Sequence, residues 1–416
     1  MRVLVDVGLL QGATIDPTYL LIGHPTQGLI GTGTVAPDDV LVDYSGRLMS
    51  MSVQRTSSRR VGPVIEYNAG TAAVTLLNDD GALDPHAIEA AGLAAPGVIM
   101  RIRVLHDGVT YPVWSGYVDA WVPEHRAPDH AAVTITGTDG MSRLAGFHRA
   151  ALDVPVGGGE TTGARINRIL DSVGWPAGDR VIATGDATLQ ATLAEGEALE
   201  DAQQVALNEV GEFYVDPEGR MVFRNRHAIL TDTRSVTSQA TFGSDRAAGE
   251  LTYVGMPGVS YDRQQLVNRV TATIEGGTPQ TAEDATSIAR YGLYPHDQAL
   301  LLESDAAAAG WASYVLRQDH LPEFRFSSIE VDTRVDPDVL VPQALGRQFG
   351  DRITVVRRPP GGIVDSREVF IRSIEHTWAP PDAWRTTWGL QPADRYLFFV
   401  VGHPSMGVIG SNAIAY

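Results

Sequence analysis

The chain contains no cysteine and no lysine among its 416 residues. The first absence excludes disulfides, thiol catalysis and cysteine-ligated zinc or iron–sulfur centres, and it leaves the redox compartment open. The second makes arginine the sole strong base, 32 residues in all. Schiff-base lysines, the lysine of a phosphate-binding loop and serine–lysine dyads are thereby excluded. A GC-rich coding sequence accounts for such a bias. Aromatic residues are sparse at 7%, and the seven Trp are dispersed. No run of about 18 apolar residues occurs, and the chain does not open on a charged segment followed by an apolar stretch. Neither a membrane span nor a signal peptide is expected.

What is present reads as a folded, multidomain protein. Hydrophobic content of 44% and charged content of 20% are ordinary for globular chains, and the length suggests two to four domains at roughly 100–200 residues each. The formal charge of −18 disfavours nucleic-acid binding and attraction to an anionic membrane. An acidic wall would still let DNA slide past without adhering.

From Met51 to Ile135 the sequence alternates in short segments broken by turns, such as Ala73-Val74-Thr75-Leu76-Leu77, Val98 to Val104 and Ala132 to Thr136. This spacing predicts a β-barrel or sandwich. The pattern changes after Ala151. Thr161 or Thr162 can cap a helix bearing Ile166, Ile169, Leu170 and Val173 on one face, ended by Gly174-Trp175-Pro176. A second helix is predicted from about Leu199 to Val210, then a hairpin of Glu212–Val215 and Arg220–Arg224 around Asp216-Pro217-Glu218-Gly219. Alternation returns at Leu266–Thr273, Ser327–Val331, Arg352–Val356 and Glu368–Arg372, interrupted by a helix from Asp305 to about Arg317 with Ser304 as its cap. The order is β-rich, α+β, β-rich.

Catalytic signatures are weak. Gly158-Gly159-Glu160-Thr161-Thr162-Gly163 has the glycine spacing of a phosphate loop, but Ala164-Arg165 stands where Lys-Ser/Thr is required, so a glycine-rich linker is the better reading. Asn78-Asp79-Asp80-Gly81 with Asp84 offers oxygen ligands without the spacing or terminal Glu of a calcium loop, and reads as a β-turn. The eleven His are scattered; His320 and His376 are expected to be structural. No nucleophile elbow occurs, and no acidic pair stands out for glycoside hydrolysis. No catalytic residue, cofactor or metal ligand is therefore assigned.

The most specific feature is a repeat at the two ends. Gly23-His24-Pro25-Thr26-Gln27-Gly28-Leu29-Ile30-Gly31 matches Gly402-His403-Pro404-Ser405-Met406-Gly407-Val408-Ile409-Gly410 at six of nine positions. The apolar lead-ins Leu20-Leu21-Ile22 and Phe399-Val400-Val401, and Ala36 against Ala415, extend the match. Each copy is an apolar strand running into a His-Pro turn, with glycines that permit positive φ or close backbone approach. Two readings stand. The copies pair with each other or cap two similar domains, or each docks on a neighbouring subunit by strand addition. The docking candidates are Gly23, His24, Pro25, Gly28, Ile30 and Gly31, with Gly402, His403, Pro404, Gly407, Ile409 and Gly410.

The stretch from Arg60-Val61-Gly62-Pro63 through Tyr67-Asn68-Ala69-Gly70 to Leu83-Asp84-Pro85 resembles minor tail proteins of tailed phages that infect high-GC, actinobacterial-type hosts. Leu266-Val267-Asn268-Arg269-Val270, Asp284–Gly292 and Phe349-Gly350-Asp351-Arg352-Ile353-Thr354-Val355 carry the same resemblance, so it extends over most of residues 50–390. It implies a baseplate or tail hub: a homotrimeric ring at the tail tip, with two tube-like β-barrel domains per chain presented to a sixfold tube or distal tail ring. The fold class expected is mainly β with an α+β insert. On that plan residues 1–45 form an N-terminal arm, 46–150 the first barrel, 151–240 the α+β domain, 241–395 the second barrel, and 396–416 a C-terminal hairpin arm. The implied partners are further copies of the chain, distal tail or tail-tube proteins, the tape measure protein and other tip proteins, with DNA only in passage. The competing classes are a tail-associated cell-wall hydrolase or peptidase, and a receptor- or carbohydrate-binding tail protein.

Overall fold

The computed structural model describes residues 1–9, 40–61, 64–84, 86–87, 97–127, 130–193, 196–255, 258–263, 265–381, 383–393, 398–399 and 413–414. These residues are mainly β, and the α-helices described in full fall between 140 and 236 and between 285 and 346. The alternation that predicts strands is the alternation of burial. Along Thr71–Leu77 the residues Ala72, Val74 and Leu76 are buried while their neighbours reach the other face. That strand is internal, paired with Leu48–Arg55 on one side and His130–Thr138 on the other. Ile99–His106 turns into Val109–Ala127 through Asp107 and Gly108, both at positive φ (47° and 78°), the mirror-image turn that suits the twist of a hairpin.

The strands do not form the two closed barrels expected from the sequence. A single twelve-stranded sheet runs through both β-rich parts of the chain. Its order is Thr241–Phe242, Arg352–Arg357, Asp365–Ala379, Leu48–Arg55, Thr71–Leu77, His130–Thr138, Val109–Ala127, Ile99–His106, Arg2–Leu9 and Val40–Asp43, with Ala383–Pro392 and Ser328–Asp332 alongside. Its end strands do not pair with one another among the described residues. The join is made by the fifteen-residue strand Asp365–Ala379. One edge pairs with Ala383–Pro392 over most of its length. The other edge is divided: residues 365–370 pair with Arg352–Arg357, and 374–378 pair with Leu48–Arg55. Periodicity reveals which face of a strand is buried, but it carries no information about which strand lies beside it, so this sharing was not legible.

The helices of the middle section form where expected. Thr161 caps Thr162–Ser172 by accepting from the Ala164 amide at 3.3 Å. Ala198–Glu209 ends at Val210 in a left-handed conformation, and the Glu212–Val215/Met221–Arg224 hairpin follows with Phe213 opposite Phe223. Ser304 caps Asp305–Asp319 through the Ala307 amide at 3.2 Å. That helix packs on a small sheet of Arg269–Ile274, Gln280–Glu283 and Pro295–Leu300, and Trp311 donates from its indole nitrogen to Leu207 O at 3.0 Å. Val270, Ala272, Trp311 and Val315 thus share one hydrophobic core with Ile166, Ile169, Val205 and Phe223.

Two further cores lie under the large sheet, one beneath its 1–138 part and one beneath its 241–392 part. Pro337–Gly346, a helix absent from the sequence expectation, sits between them. Val341, Ala344 and Leu345 enter the first core, and Leu340 enters the second.

Candidate functional site

A buried polar node joins the middle hairpin to the large sheet. Strand Asp365–Ala379 has a register shift between Ile371 and Ser373, which leaves Arg372 as the extra residue of a β-bulge. The bulge interrupts alternation, so Val369, Phe370, Ile371 and Arg372 are all buried in succession. It directs the Arg372 guanidinium at the Glu212 carboxylate of the middle hairpin, while Arg372 Nε donates to Gln391 Oε1 at 2.8 Å and Nη1 reaches the Tyr67 hydroxyl at 3.4 Å. The second oxygen of Glu212 accepts from Arg224 Nη1 at 3.3 Å. Arg224 also donates to Phe349 O at 3.1 Å and to Asp232 and Ser235 at 3.2 and 3.1 Å. One buried carboxylate therefore holds two guanidiniums, each anchored to a different part of the chain.

An aromatic cluster covers this network. Tyr67, Tyr214 and Phe349 stand with ring centroids 4.6 to 5.2 Å apart. Arg55 lies over the Phe349 ring at 4.5 Å and donates to Val215 O and Gln348 Oε1, both at 3.1 Å. Burial pushes the Tyr214 phenol up to about 12 and raises Tyr67 further, so both stay protonated and uncharged. Burial also lowers the Arg55 guanidinium from its ordinary value. The arrangement is densely hydrogen-bonded, and a cavity of about 260 Å³ lined in part by Arg372 and Gln391 lies beside it. What it can do is fix the middle hairpin against the strand Asp365–Ala379. It was missed in the sequence, although Tyr67 and Phe349 belong to two of the segments that carry the family resemblance.

The glycine-rich loop has a physical explanation that needs no nucleotide. The Glu160 carboxylate fills it: Arg165 Nε donates to Glu160 Oε2 at 2.5 Å and Arg168 Nε to Oε1 at 2.8 Å, and these two arginines hold the acid below its usual range although burial opposes them. Arg165 Nη2 is further committed to Gly157 O and Gln190 O at 2.6 and 2.8 Å. Gly163 is required by packing, since a Cβ there would stand 1.8 Å from Ala183 O.

Asn78–Asp84 is a turn whose oxygens are taken by the protein. Asn78 Oδ1 accepts from the Leu83 amide at 2.7 Å, and Asp79 Oδ1 from the Ala131 amide at 2.9 Å. Asp80 receives both Arg47 nitrogens, at 2.7 and 2.6 Å, and these hydrogen bonds take its carboxyl down to about 2. His376 is buried against Trp384 with Nδ1 2.9 Å from Thr386 Oγ1, and burial takes its imidazole down to about 3. His320 Nδ1 lies 3.0 Å from Arg317 O at the end of its helix.

The candidate docking residues, Gly23, His24, Pro25, Gly28, Ile30 and Gly31 with Gly402, His403, Pro404, Gly407, Ile409 and Gly410, lie outside the described residues. Their flanks are described. The first copy falls in the connection between Arg2–Leu9 and Val40–Asp43, which pair antiparallel with Leu9 opposite Val40. The second falls between Phe398–Phe399 and Ala413–Ile414, which pair in parallel. Each copy is thus bracketed by two strands that bond to one another, and the first is anchored at the sheet edge by buried Val3, Val5 and Val7. Elsewhere, the loop after Arg352–Arg357 exposes Ile363 and Val364, at 88% and 55%.

The sequence matches no protein-family model, and no curated protein sequence matches it. Solved structures share the fold. The tail protein from Neisseria meningitidis MC58 superposes with a TM-score of 0.57 at 15% identity, over 94% of this chain and 96% of that one. The 43 kDa tail protein of prophage MuSo2 from Shewanella oneidensis superposes with a TM-score of 0.52 at 13% identity, over 95% and 97%.

Proposed function

We propose that this chain is a structural, non-enzymatic subunit of a bacteriophage tail, a hub at the tail tip. Its copies form a trimeric ring that adapts a sixfold tail tube or distal tail ring to a threefold tip and lines the DNA channel. The observation that carries the reading is the fold shared with the Neisseria tail protein over nearly the full length of both chains. The polar node supports it: a buried network that ties the middle hairpin to the large sheet suits a load-bearing part. The two β-rich lobes, within 46–150 and 241–395, present the paired tube-like units, and 151–240, joined in its core by residues between 270 and 315, forms the α+β domain between them.

The Gly-His-Pro segments supply the docking elements, each offered from a closed pair of short strands. Two per chain on three chains make six, one for each subunit of a sixfold partner. The partners are further copies of the chain, the distal tail or tube protein, the tape measure protein and other tip proteins. DNA is met only in passage, and the charge of −18 suits a wall to which it must not adhere. The host is a high-GC bacterium, in keeping with a chain whose strong bases are all arginine.

Cryo-electron microscopy of the tail tip of virions carrying this chain tests the reading. The expected result is three copies around the channel, below a sixfold ring, with both Gly-His-Pro segments against that ring. Absence of the chain from the tail, or the two segments in unrelated environments, overturns it.

A further inference from the structure

His106 ends the strand Ile99–His106 and is only 8% exposed, yet neither of its ring nitrogens has a hydrogen-bond partner. A buried imidazole with both nitrogens unmet is costly, because it gives up water and receives nothing in return. Two carboxylates stand beside it. Asp107 is the next residue, held at φ 47° by the hairpin turn, with Oδ2 3.4 Å from His106 Nε2. Asp338 lies in the first turn of Pro337–Gly346. One ring nitrogen and one oxygen from each carboxylate all lie within 4.8 Å of one another, a grouping found nowhere else among the described residues.

We infer that His106, Asp107 and Asp338 form a site for a divalent transition-metal ion of the zinc or manganese class. Ligands at about 2.0–2.2 Å from one ion stand within roughly 4.4 Å of each other, so only a small closure of the three side chains is needed. One imidazole with two carboxylates favours such ions over calcium or magnesium, which take oxygen ligands. The metal gives the stranded imidazole lone pair a partner and neutralises two adjacent acids. Asp107 is 77% exposed at its side chain, so water can complete the coordination. The site is structural: it ties a hairpin of the first β lobe to the helix that enters both β cores. It is independent of the tail-hub reading.

The test is titration of the full chain with zinc ions, by isothermal calorimetry and thermal melting, with manganese in parallel. The wild type is expected to bind one ion and melt at a higher temperature. Asp338→Asn, at an exposed helix position, and Asp107→Asn, whose replacement tolerates positive φ, should each weaken binding by roughly tenfold or more. His148→Ala, which removes an exposed His–Glu pair elsewhere, should leave binding unchanged. No saturable binding by the wild type, or equal binding by Asp338→Asn and the wild type, overturns the inference and leaves His106 as a partner of Asp107 alone.

Discussion

Arg372 and Glu212 are 160 residues apart in sequence and form an ion pair in which each side chain is less than a tenth exposed. A buried pair of this kind gives little net stability when intact, but removal of one partner leaves an uncompensated charge in a medium that solvates it poorly. Glu212→Gln would strand two guanidiniums, Arg372 and Arg224. Its expected cost is about 3–5 kcal/mol in denaturant unfolding. Arg372→Met should cost a similar amount. The double variant Glu212→Gln/Arg372→Met should cost less than the sum of the two single changes, because the shared penalty is counted once. Additive losses would mean that the two side chains do not act as a coupled pair.

His376 predicts an acid sensitivity of definite sign. Its imidazole titrates near 3 in the folded chain, against about 6.5 when unfolded. A base whose folded value is depressed contributes stability above the unfolded value and loses it as pH falls toward the folded one. The window is therefore about pH 6.5 down to 3. His376→Gln should be less stable than wild type at pH 7, yet its stability should fall less steeply through that window. Parallel pH profiles for the two proteins would contradict the assignment.

Asp139 runs the other way. It caps Gly140–Ala145 by accepting from the Met141 amide at 3.0 Å and accepts from the Gly70 amide at 2.7 Å, but burial outweighs both and raises its carboxyl to about 6. Stability from an acid with a raised folded value is fully present below the unfolded value near 3.8 and is lost as pH rises through 6. The destabilisation caused by Asp139→Ala should accordingly be larger at pH 4 than at pH 7, by up to about 3 kcal/mol. A penalty that grows with pH would sink this account.

These residues also mark where the sequence could be read and where it could not. Thr161, Ser304 and the Asp216–Gly219 turn act on neighbours a few positions away, so caps and hairpins were legible from local chemistry. Arg372 was not, because its partner is 160 positions distant. A trace of it was available. The buried positions are odd at Val369 and Ile371 and even at Ile374 and His376, and such a change of parity is what a bulge requires. Pro337–Gly346 was hidden for the opposite reason: Pro342 removes a donor from the helix interior and argues locally against a helix that packing between two cores sustains. The open, shared sheet was illegible in principle, since the edge division of Asp365–Ala379 depends on strands more than 300 residues apart.

The Gly-His-Pro segments yield the prediction that bears most directly on assembly. Each is bracketed by strands that pair with one another. Under the proposed docking role, replacing His403-Pro404 by Ala-Ala, or His24-Pro25 likewise, should leave the melting temperature within a few degrees of wild type, as for surface changes of about 0.5 kcal/mol. On the same proposal, attachment to a sixfold partner should fall in both cases, and the paired replacement should abolish it because the two contacts would act as linked binding events. Deletion of residues 396–416 separates docking from folding more sharply. A docking role predicts a folded chain that fails to join the tail, whereas an internal role predicts loss of the cooperative unfolding transition itself. Thermal unfolding of the truncated chain, measured beside its incorporation into tails, distinguishes the two.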